Sequence, residues 1–260
     1  MGLLWGIDSA DTADAALLGL VKQRAAHPAF WGRYLSSFAL TKEEVAFIHG
    51  AGIAILPIWN GVDANTVRGT YNQGYLEGES AAHILRSLEA PKGTGLVIDI
   101  EASFDPNPEF LWGFCRSCFV GGCVPIVYCA PNSPSAGLHT FAAKMASAPE
   151  RPYVWSATPE VNSGTGPAMA PKWEPNTLKP LKTVIWQYRE SAIGSRVDED
   201  LMDSAISDLL WRPPAHNVVV TPKPEPQAAV SAQVKVAVSV LAATVQQLNK
   251  DLVSIQTLIQ

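Results

Sequence analysis

The chain has 260 residues, 47% of them hydrophobic, and a formal net charge of −5 at pH 7. This length and composition exclude a mostly disordered chain and predict one large core or two modest ones. The acidic balance, without clusters of Lys and Arg, argues against nucleic acid as a partner, because neutralising phosphates requires clustered basic side chains. The start, MGLLWGIDSA, has neither the basic leader nor the apolar length of a signal peptide or membrane span.

Eight short apolar runs have the length and composition of strands. They cover residues 3–8, 30–36, 53–60, 96–101, 124–130, 153–157, 184–188 and 196–200. Helix-like stretches separate the first five runs and follow the fifth, at 11–26, 41–50, 63–89, 106–120 and 135–147. This alternation predicts parallel strands with crossover helices, and eight strands suit a closed α/β barrel over residues 1–212 better than an open sheet.

Two local patterns add detail to the barrel prediction. Thr41 followed by Glu44 has the spacing of a capping box, which predicts a helix start. After about residue 150 the helices shorten, and residues 159–180, rich in Pro and Gly, are predicted to form a loop across one barrel face.

The C-terminal part of the chain differs from the barrel. Residues 213–231 are rich in proline and predict a stiff linker, and residues 232–260 predict a helix. Its apolar residues follow a heptad spacing, at Val234, Val238, Leu241, Val245, Leu248, Leu252, Ile255 and Ile259. We expect residues 234–260 to form a coiled coil for self-association or attachment to a virion protein, in two or more strands. The alternative is a lone amphipathic helix docked on its own barrel, and polar residues in the stripe argue against a membrane helix.

Four cysteines, Cys115, Cys118, Cys123 and Cys129, lie close together in the sequence. The first two form a C-x-x-C, which raises the possibility of a zinc site or a redox pair. Because no second C-x-x-C and no suitably spaced His follows, we expect reduced, partly buried thiols on a helix and the following strand, and no bound metal.

Acidic residues mark the strand ends of the predicted barrel. Asp99 and Glu101 end an apolar run, and residues two apart in a strand project to the same side. Asp8 and Asp198 lie at the ends of the first and last strands, which are neighbours in a closed barrel. We therefore expect four acids in one site, where crowding of like charges raises a carboxyl pKa as general acid catalysis requires. The alternative is a strand end that runs into solvent.

Aromatic and amide side chains occupy comparable positions and predict a carbohydrate cleft, because sugar rings stack on aromatics and sugar hydroxyls pair with amides and carboxylates. The predicted substrate-binding residues are Trp5, Tyr34, Trp59, Asn60, Tyr128, Trp155, Trp186 and Gln187. The alternative for the aromatics is core filling.

Several short sequence segments, in order along residues 3–212, resemble those of the lysozyme-type muramidases of glycoside hydrolase family 25. They are WGIDSA, DIE, IVYCA, VWSA, and WQY followed by VDEDL. The segments WGRYLSS, LTKEEVAFIHGAGIAILPIWN and APKGTGLVIDIE are more similar still to the allied glycoside-hydrolase-like domains of actinobacteria and their phages.

The resemblance implies a modified TIM-type barrel of five β/α units followed by three strands. It implies Glu101 as the general acid, with Asp99, Asp198 and Asp8 as acidic companions and no cofactor. The implied substrate is the β-1,4 bond between N-acetylmuramic acid and N-acetylglucosamine in peptidoglycan. The last strand departs from the family pattern, because it carries the extra acids Glu199, Asp200 and Asp203 where the family usually has fewer.

The sequence thus predicts a peptidoglycan hydrolase, encoded by a phage as an endolysin or a virion component. We expect it in the virion or in the host wall after release, and otherwise in the cytoplasm. One alternative is a non-catalytic glycan-binding or structural virion subunit. A weaker one is a cytoplasmic barrel enzyme of other chemistry, for which no phosphate-binding Gly-rich loop is present.

Overall fold

Eight strands form a closed barrel in which each strand lies beside its sequence neighbour and β8 returns to β1. The strands are β1 (Leu3–Ser9), β2 (Phe30–Tyr34), β3 (Ala54–Trp59), β4 (Gly95–Asp99), β5 (Val124–Cys129), β6 (Tyr153–Ala157), β7 (Lys182–Ser191) and β8 (Val197–Asp203). The computed structural model describes residues 2–159 and 164–214. It confirms the α/β barrel. The predicted C-terminal helix and most of the linker lie outside the described residues.

Five helices follow the first five strands. They are α1 (Ala15–Arg24), α2 (Lys42–Gly50), α3 (Tyr71–Ser87), α4 (Pro108–Val120) and α5 (Ala136–Met145). The later connections hold short helical segments, which agrees with the predicted loss of helices after residue 150. Short 3-10 helices lie at Thr66–Arg68, Pro167–Met169 and Ser204–Leu209, with a four-residue helical turn at Ala192–Ser195.

The capping box lies at a different helix from the predicted one. Thr41 does accept a hydrogen bond from the Glu44 backbone N–H, at 3.2 Å. The Glu44 carboxylate, however, accepts from the backbone N–H of Ala13 at 2.7 Å and does not return to Thr41. The reciprocal box joins Thr70 and Gln73 at the start of α3, which separates that helix from the preceding 3-10 segment.

Strand direction places the ends of the barrel. Neighbours from β1 to β7 run parallel, whereas β8 is antiparallel to both β7 and β1. The short Ala192–Ser195 connection explains this reversal, because a parallel neighbour would need a long crossover. The first residues of β8 therefore lie beside the last residues of β1, and Asp198 pairs in register with Asp8.

Alternate residues of each strand pack on opposite sides of the barrel wall. One buried cluster fills the interior and includes Phe30, Leu56, Ile126 and Met202. A second, larger cluster lies between the outer face of the sheet and the helices, and includes the cysteines. All four cysteines are buried free thiols, and burial raises the pKa of Cys129 to about 12. They pack as small apolar side chains.

None of the helices within residues 2–159 and 164–214 is both long and apolar enough to cross a membrane. In the same ranges, no group of three or more His, Cys, Asp or Glu side chains is arranged to hold a metal ion.

The packing of α3 on α4 depends on glycine. A Cβ atom added to Gly74 would lie 1.9 Å from the backbone oxygen of Phe110, so the two helices meet backbone to backbone. We expect Gly74→Ala to lower the free energy of unfolding by about 1–3 kcal/mol through overpacking. Gly19→Ala on α1 is the control, since nothing lies within 4 Å of its added Cβ, and it should stabilise by up to about 1 kcal/mol. Equal effects of the two variants in urea unfolding would contradict the close approach.

Candidate active site

A cleft of about 250 Å³ opens at the end of the barrel where β1 to β7 finish. Every strand, or the residues just after it, contributes to its lining. The lining residues are Asp8, Tyr34, Ile58, Asp99, Glu101, Tyr128, Trp155, Gln187, Glu190 and Asp198. The four acids singled out from the sequence therefore lie in one cleft.

A larger cavity of about 490 Å³ lies at the opposite barrel end, where β5, β6 and β7 begin. Its lining is mostly apolar and includes a single carboxylate, Glu150, which already accepts a hydrogen bond from Trp112 at 2.8 Å. Chemistry that needs several carboxylates is therefore supported by the acidic cleft and not by this cavity.

Gln187 connects the carboxylates of β1 and β8. Its Nε2 donates to Asp8 Oδ2 at 3.3 Å and to Asp198 Oδ2 at 3.0 Å, and its Oε1 accepts from the Tyr128 hydroxyl at 2.8 Å. Asp8 is only 3% exposed. Burial, and then the nearby Asp198 charge, raises the pKa of Asp8 well above its usual value, and burial raises the pKa of Asp198 to about 6.

Asp99 is the last residue of β4, Glu101 lies two residues further on, and the two acids differ in exposure. Asp99 Oδ1 is buried without a hydrogen-bond partner among the described residues. Burial, and then the Glu101 charge, raises the pKa of Asp99 to about 7. Glu101 is exposed at the mouth. Its pKa is raised first by the burial of part of its side chain and then by the charge of Glu190. The sequence had suggested Asp99 as the main cause. Because the pKa of Asp99 is about 7, roughly half of the molecules hold a proton on Asp99 at pH 7.

Three aromatic side chains form the walls and floor of the cleft. Tyr128 and Trp155 meet edge to face, with ring centroids 5.4 Å apart. Burial raises the pKa of Tyr34 and of Tyr128, so both phenols keep their O–H at neutral pH. Trp155 is buried, and its Nε1 donates to Asp200 Oδ1 at 3.2 Å. The walls thus combine apolar ring surface with hydroxyl donors.

Four residues predicted to bind substrate lie outside this cleft. Trp5, Trp59 and Trp186 are buried between the sheet and the surrounding helices and loops. Their indole N–H groups donate to Tyr188, Glu77 and the Thr158 carbonyl, respectively. Asn60 binds the backbone of Ser36 and Ser37 and so holds the loop after β2.

Strand alternation explains the three misplaced tryptophans. Because Asp8, Ile58 and Gln187 face the cleft, residues at an odd spacing from them on the same strand face the other way. Trp59 and Trp186 directly adjoin Ile58 and Gln187. A cleft-facing tryptophan at either position was therefore incompatible with a cleft-facing neighbour.

Two acids in or beneath the cleft, Asp200 and Glu190, were not predicted as site residues. Asp200, two residues after Asp198, lies on the same side of β8, so alternation alone could have identified it. Glu190 lies three residues after Gln187, and yet both line the cleft. A register shift between Gln187 and Arg189 inserts one extra residue in β7 and reverses the alternation. Nothing in the sequence indicated this bulge.

Comparisons with known proteins agree with this architecture. A model of the family described as Rv2525c-like, glycoside hydrolase-like domain matches residues 23–202. The crystal structure of an uncharacterized B. stearothermophilus protein is 27% identical, with a TM-score of 0.73, and the match covers 80% of this chain and 100% of that one. The comparison with curated proteins gave no match.

Two more distant structures share the fold. The Tat-secreted protein Rv2525c of Mycobacterium tuberculosis, in complex with L-tartrate, is 14% identical with a TM-score of 0.53, over 78% of this chain and 96% of that one. The spore cortex lytic enzyme SleM of Clostridium perfringens is 12% identical with a TM-score of 0.52, and the match covers 80% of this chain and 69% of that one. Since the family model spans more than half of the chain, this protein belongs to the Rv2525c-like family and carries its glycoside hydrolase-like domain.

Proposed function

We propose that this protein is a peptidoglycan hydrolase of the N-acetylmuramidase type, which cleaves the β-1,4 bond after N-acetylmuramic acid. The observation that carries the proposal is the gathering of five carboxylates in one cleft, with a proton held by the Asp99 and Glu101 pair near pH 7. Glycoside hydrolysis needs one protonated carboxyl and at least one ionised carboxylate beside the scissile bond. The glycoside hydrolase-like family supports the same chemistry.

The difference in exposure supports the roles that we propose for Asp99 and Glu101. Glu101 stands at the mouth, where a glycosidic oxygen can reach it, and acts as the general acid. Asp99 lies deeper and stabilises positive charge or orients the acetamido group of the substrate. Asp198 and Asp8 position substrate groups and water.

The charge of the cleft favours a cationic transition state. No Lys or Arg belongs to the set of described residues that line it, whereas five carboxylates do. An oxocarbenium-like transition state carries positive charge that the neutral ground-state glycan lacks, so fixed carboxylates stabilise the transition state selectively. At about 250 Å³ the cleft is smaller than the roughly 300–1,000 Å³ of typical ligand sites, which suits a single sugar ring.

The pH dependence follows from the proton held by Asp99 and Glu101. Above pH 7 the pair loses its last proton, because the pKa of Asp99 is raised to about 7. We expect kcat/KM to fall about tenfold per pH unit above that value. Asp99→Asn should move this limb to lower pH, since the carboxyl group whose pKa is about 7 is then absent. A profile that stays flat to pH 9 would refute the shared proton.

The reaction class can be tested on purified peptidoglycan. A glycosidase releases reducing ends, whereas an amidase or peptidase releases free amino groups, and both can be counted in the same digest. We expect reducing ends alone. Protein that pellets with the wall and releases neither product would favour the alternative, a non-catalytic glycan-binding or structural subunit.

The biological setting is part of this proposal and rests on the sequence resemblance. We propose a phage-encoded endolysin or virion component that acts in the virion or at the host wall. Its self-association, or attachment to a virion protein, would use residues 234–260, which lie outside the described residues.

A further inference from the structure

Beneath the acidic cleft lies a carboxyl group that the roles above do not use. Asp200 is 0% exposed and sits on β8, two residues after Asp198. Its Oδ1 accepts from Trp155 Nε1 at 3.2 Å. Its Oδ2 is buried and has no N–H or O–H donor among the described residues. The Asp200 carboxyl also lies close to another carboxyl, that of Asp8, near enough for a hydrogen bond between them if one of the two carries a proton.

Two ionised carboxylates cannot form a hydrogen bond, because both are acceptors only. The contact between Asp8 and Asp200 therefore requires a proton on one of them. Asp8 already accepts a hydrogen bond from Gln187, at 3.3 Å, whereas Asp200 Oδ2 has no donor to accept from. A proton on Asp200 turns this orphaned oxygen into a donor and satisfies it.

The surroundings favour the neutral form of Asp200. The titratable groups around it are Asp8 on β1 and Asp198 on its own strand, both acidic, and Tyr188 on β7, a neutral phenol. Its hydrogen-bond donor, Trp155 on β6, is also neutral. Gln187, its neutral partner in register on β7, binds both acidic neighbours. A third negative charge at this depth, without a cation, would carry a large desolvation cost.

We propose that Asp200 is a permanently protonated carboxylic acid that donates its O–H to Asp8 and so positions the Asp8 carboxylate under the substrate. Asp8 is then held from two sides, by Asp200 and by Gln187, and Gln187 in turn holds Asp198 at 3.0 Å. Asp200 is a positioning residue, since it acts through Asp8. Its effect on turnover rests on the hydrolase function proposed above, but its protonation does not.

Three variants separate the proposal from a purely structural role. In Asp200→Asn the amide N–H can donate to Asp8 and the amide oxygen can accept from Trp155. Both hydrogen bonds therefore persist although the side chain has no ionisable proton. Asp200→Leu removes both. Asp203→Asn is the control, because Asp203 is a buried acid at the other end of β8 that accepts from Ala205 N at 3.0 Å and from Lys182 Nζ at 3.1 Å.

Infrared difference spectra between the wild type and each variant detect the proton on Asp200 directly, and they do not require enzymatic activity. At pH 8.5, where Asp99 is ionised, we expect the wild type to show the C=O stretch of a buried carboxylic acid. This band should be lost in Asp200→Asn and kept in Asp203→Asn. A band that persists in Asp200→Asn would place the proton elsewhere and overturn the proposal.

The stability of the fold gives a second readout with a defined sign. Burial, followed by the charges of Asp8 and Asp198, raises the pKa of Asp200 well above its unfolded value near 4. The folded state then keeps a proton that the unfolded state releases, so wild-type stability falls as the pH rises above about 4. Asp200→Asn should lack this part of the slope, and its Tm should gain on the wild type from pH 4 to pH 8. Parallel curves would show an ionised Asp200.

Hydrolysis of peptidoglycan provides the functional readout. We expect Asp200→Asn to keep kcat within about threefold of the wild type, and Asp200→Leu to lose about 10- to 150-fold, the equivalent of one hydrogen bond to a charged group. Equal kcat in both variants would refute the positioning role. If the wild type itself releases no reducing ends, the proposed function fails, and the infrared and stability data still decide the protonation of Asp200.

Discussion

Replacing Glu101 by Gln should lower the release of reducing ends from peptidoglycan by at least about 100-fold, the lower bound expected for loss of a general acid. Glutamine keeps the size and polarity of the side chain but has no proton that it can give to the glycosidic oxygen. Because Glu101 is exposed at the mouth and lies beyond the last residue of β4, the fold should tolerate the change. The Tm of the variant should stay close to that of the wild type.

A matched control for this variant is Glu79→Gln, which makes the same chemical change at an exposed position on α3. It should leave both turnover and Tm unchanged, since surface substitutions usually alter stability by less than about 0.5 kcal/mol. Turnover by Glu101→Gln within twofold of the control would remove Glu101 from the acid role. Loss of turnover together with a large fall in Tm would instead indicate a folding defect.

Replacing Arg33 by Met should lower the free energy of unfolding by about 3–5 kcal/mol, the range for breaking a buried ion pair from one side. Arg33 is 0% exposed, and its Nε donates to Glu44 Oε1 at 2.6 Å. Its two Nη atoms donate to the carbonyls of Ser9 and Phe38. It therefore fixes the loops after β1 and β2 to α2, directly beside the cleft residue Asp8.

The control here is Lys42→Met, which breaks the ion pair between Lys42 and Glu89. The two side chains are 61% and 80% exposed, respectively. Exposed pairs contribute about 0–1 kcal/mol, so this variant should be close to wild type in urea unfolding. Adding Glu44→Leu to Arg33→Met should recover part of the loss, because it removes the uncompensated buried carboxylate. Equal losses in Arg33→Met and Lys42→Met would contradict the account of the buried pair.

Much of the barrel was predictable because most of its strands are short, nearly continuous apolar runs separated by stretches of helical length. Such runs occur when both faces of a strand are buried, and all eight were found within a few residues of their observed bounds. The reversal of β8 was not predicted, since apolar patterning has no direction. Asp198 reaches the site from the start of an antiparallel strand, not from the end of a parallel one.

The site was only partly predictable, for reasons of side-chain direction. Position along the chain identified Asp8, Asp99, Glu101 and Asp198, because the ends of neighbouring strands meet at one edge. Which other residues line the cleft depends on the direction in which their side chains point from the strands. Trp59 and Trp186 occupy the right level of the barrel but its outer face, and Trp5 lies on the outer face three residues before Asp8. Glu190 enters the cleft through a bulge in β7 that depends on tertiary pairing, which no local pattern specifies.

The identity of the new reducing end is the most direct test of the central claim that this acidic cleft is the site of a muramidase. Peptidoglycan digested by the wild type is reduced with borohydride, hydrolysed and analysed by mass spectrometry. The account predicts reduced muramic acid from the wild type and its absence with Glu101→Gln. Reduced glucosamine alone, or no reduced amino sugar from the wild type, would contradict it.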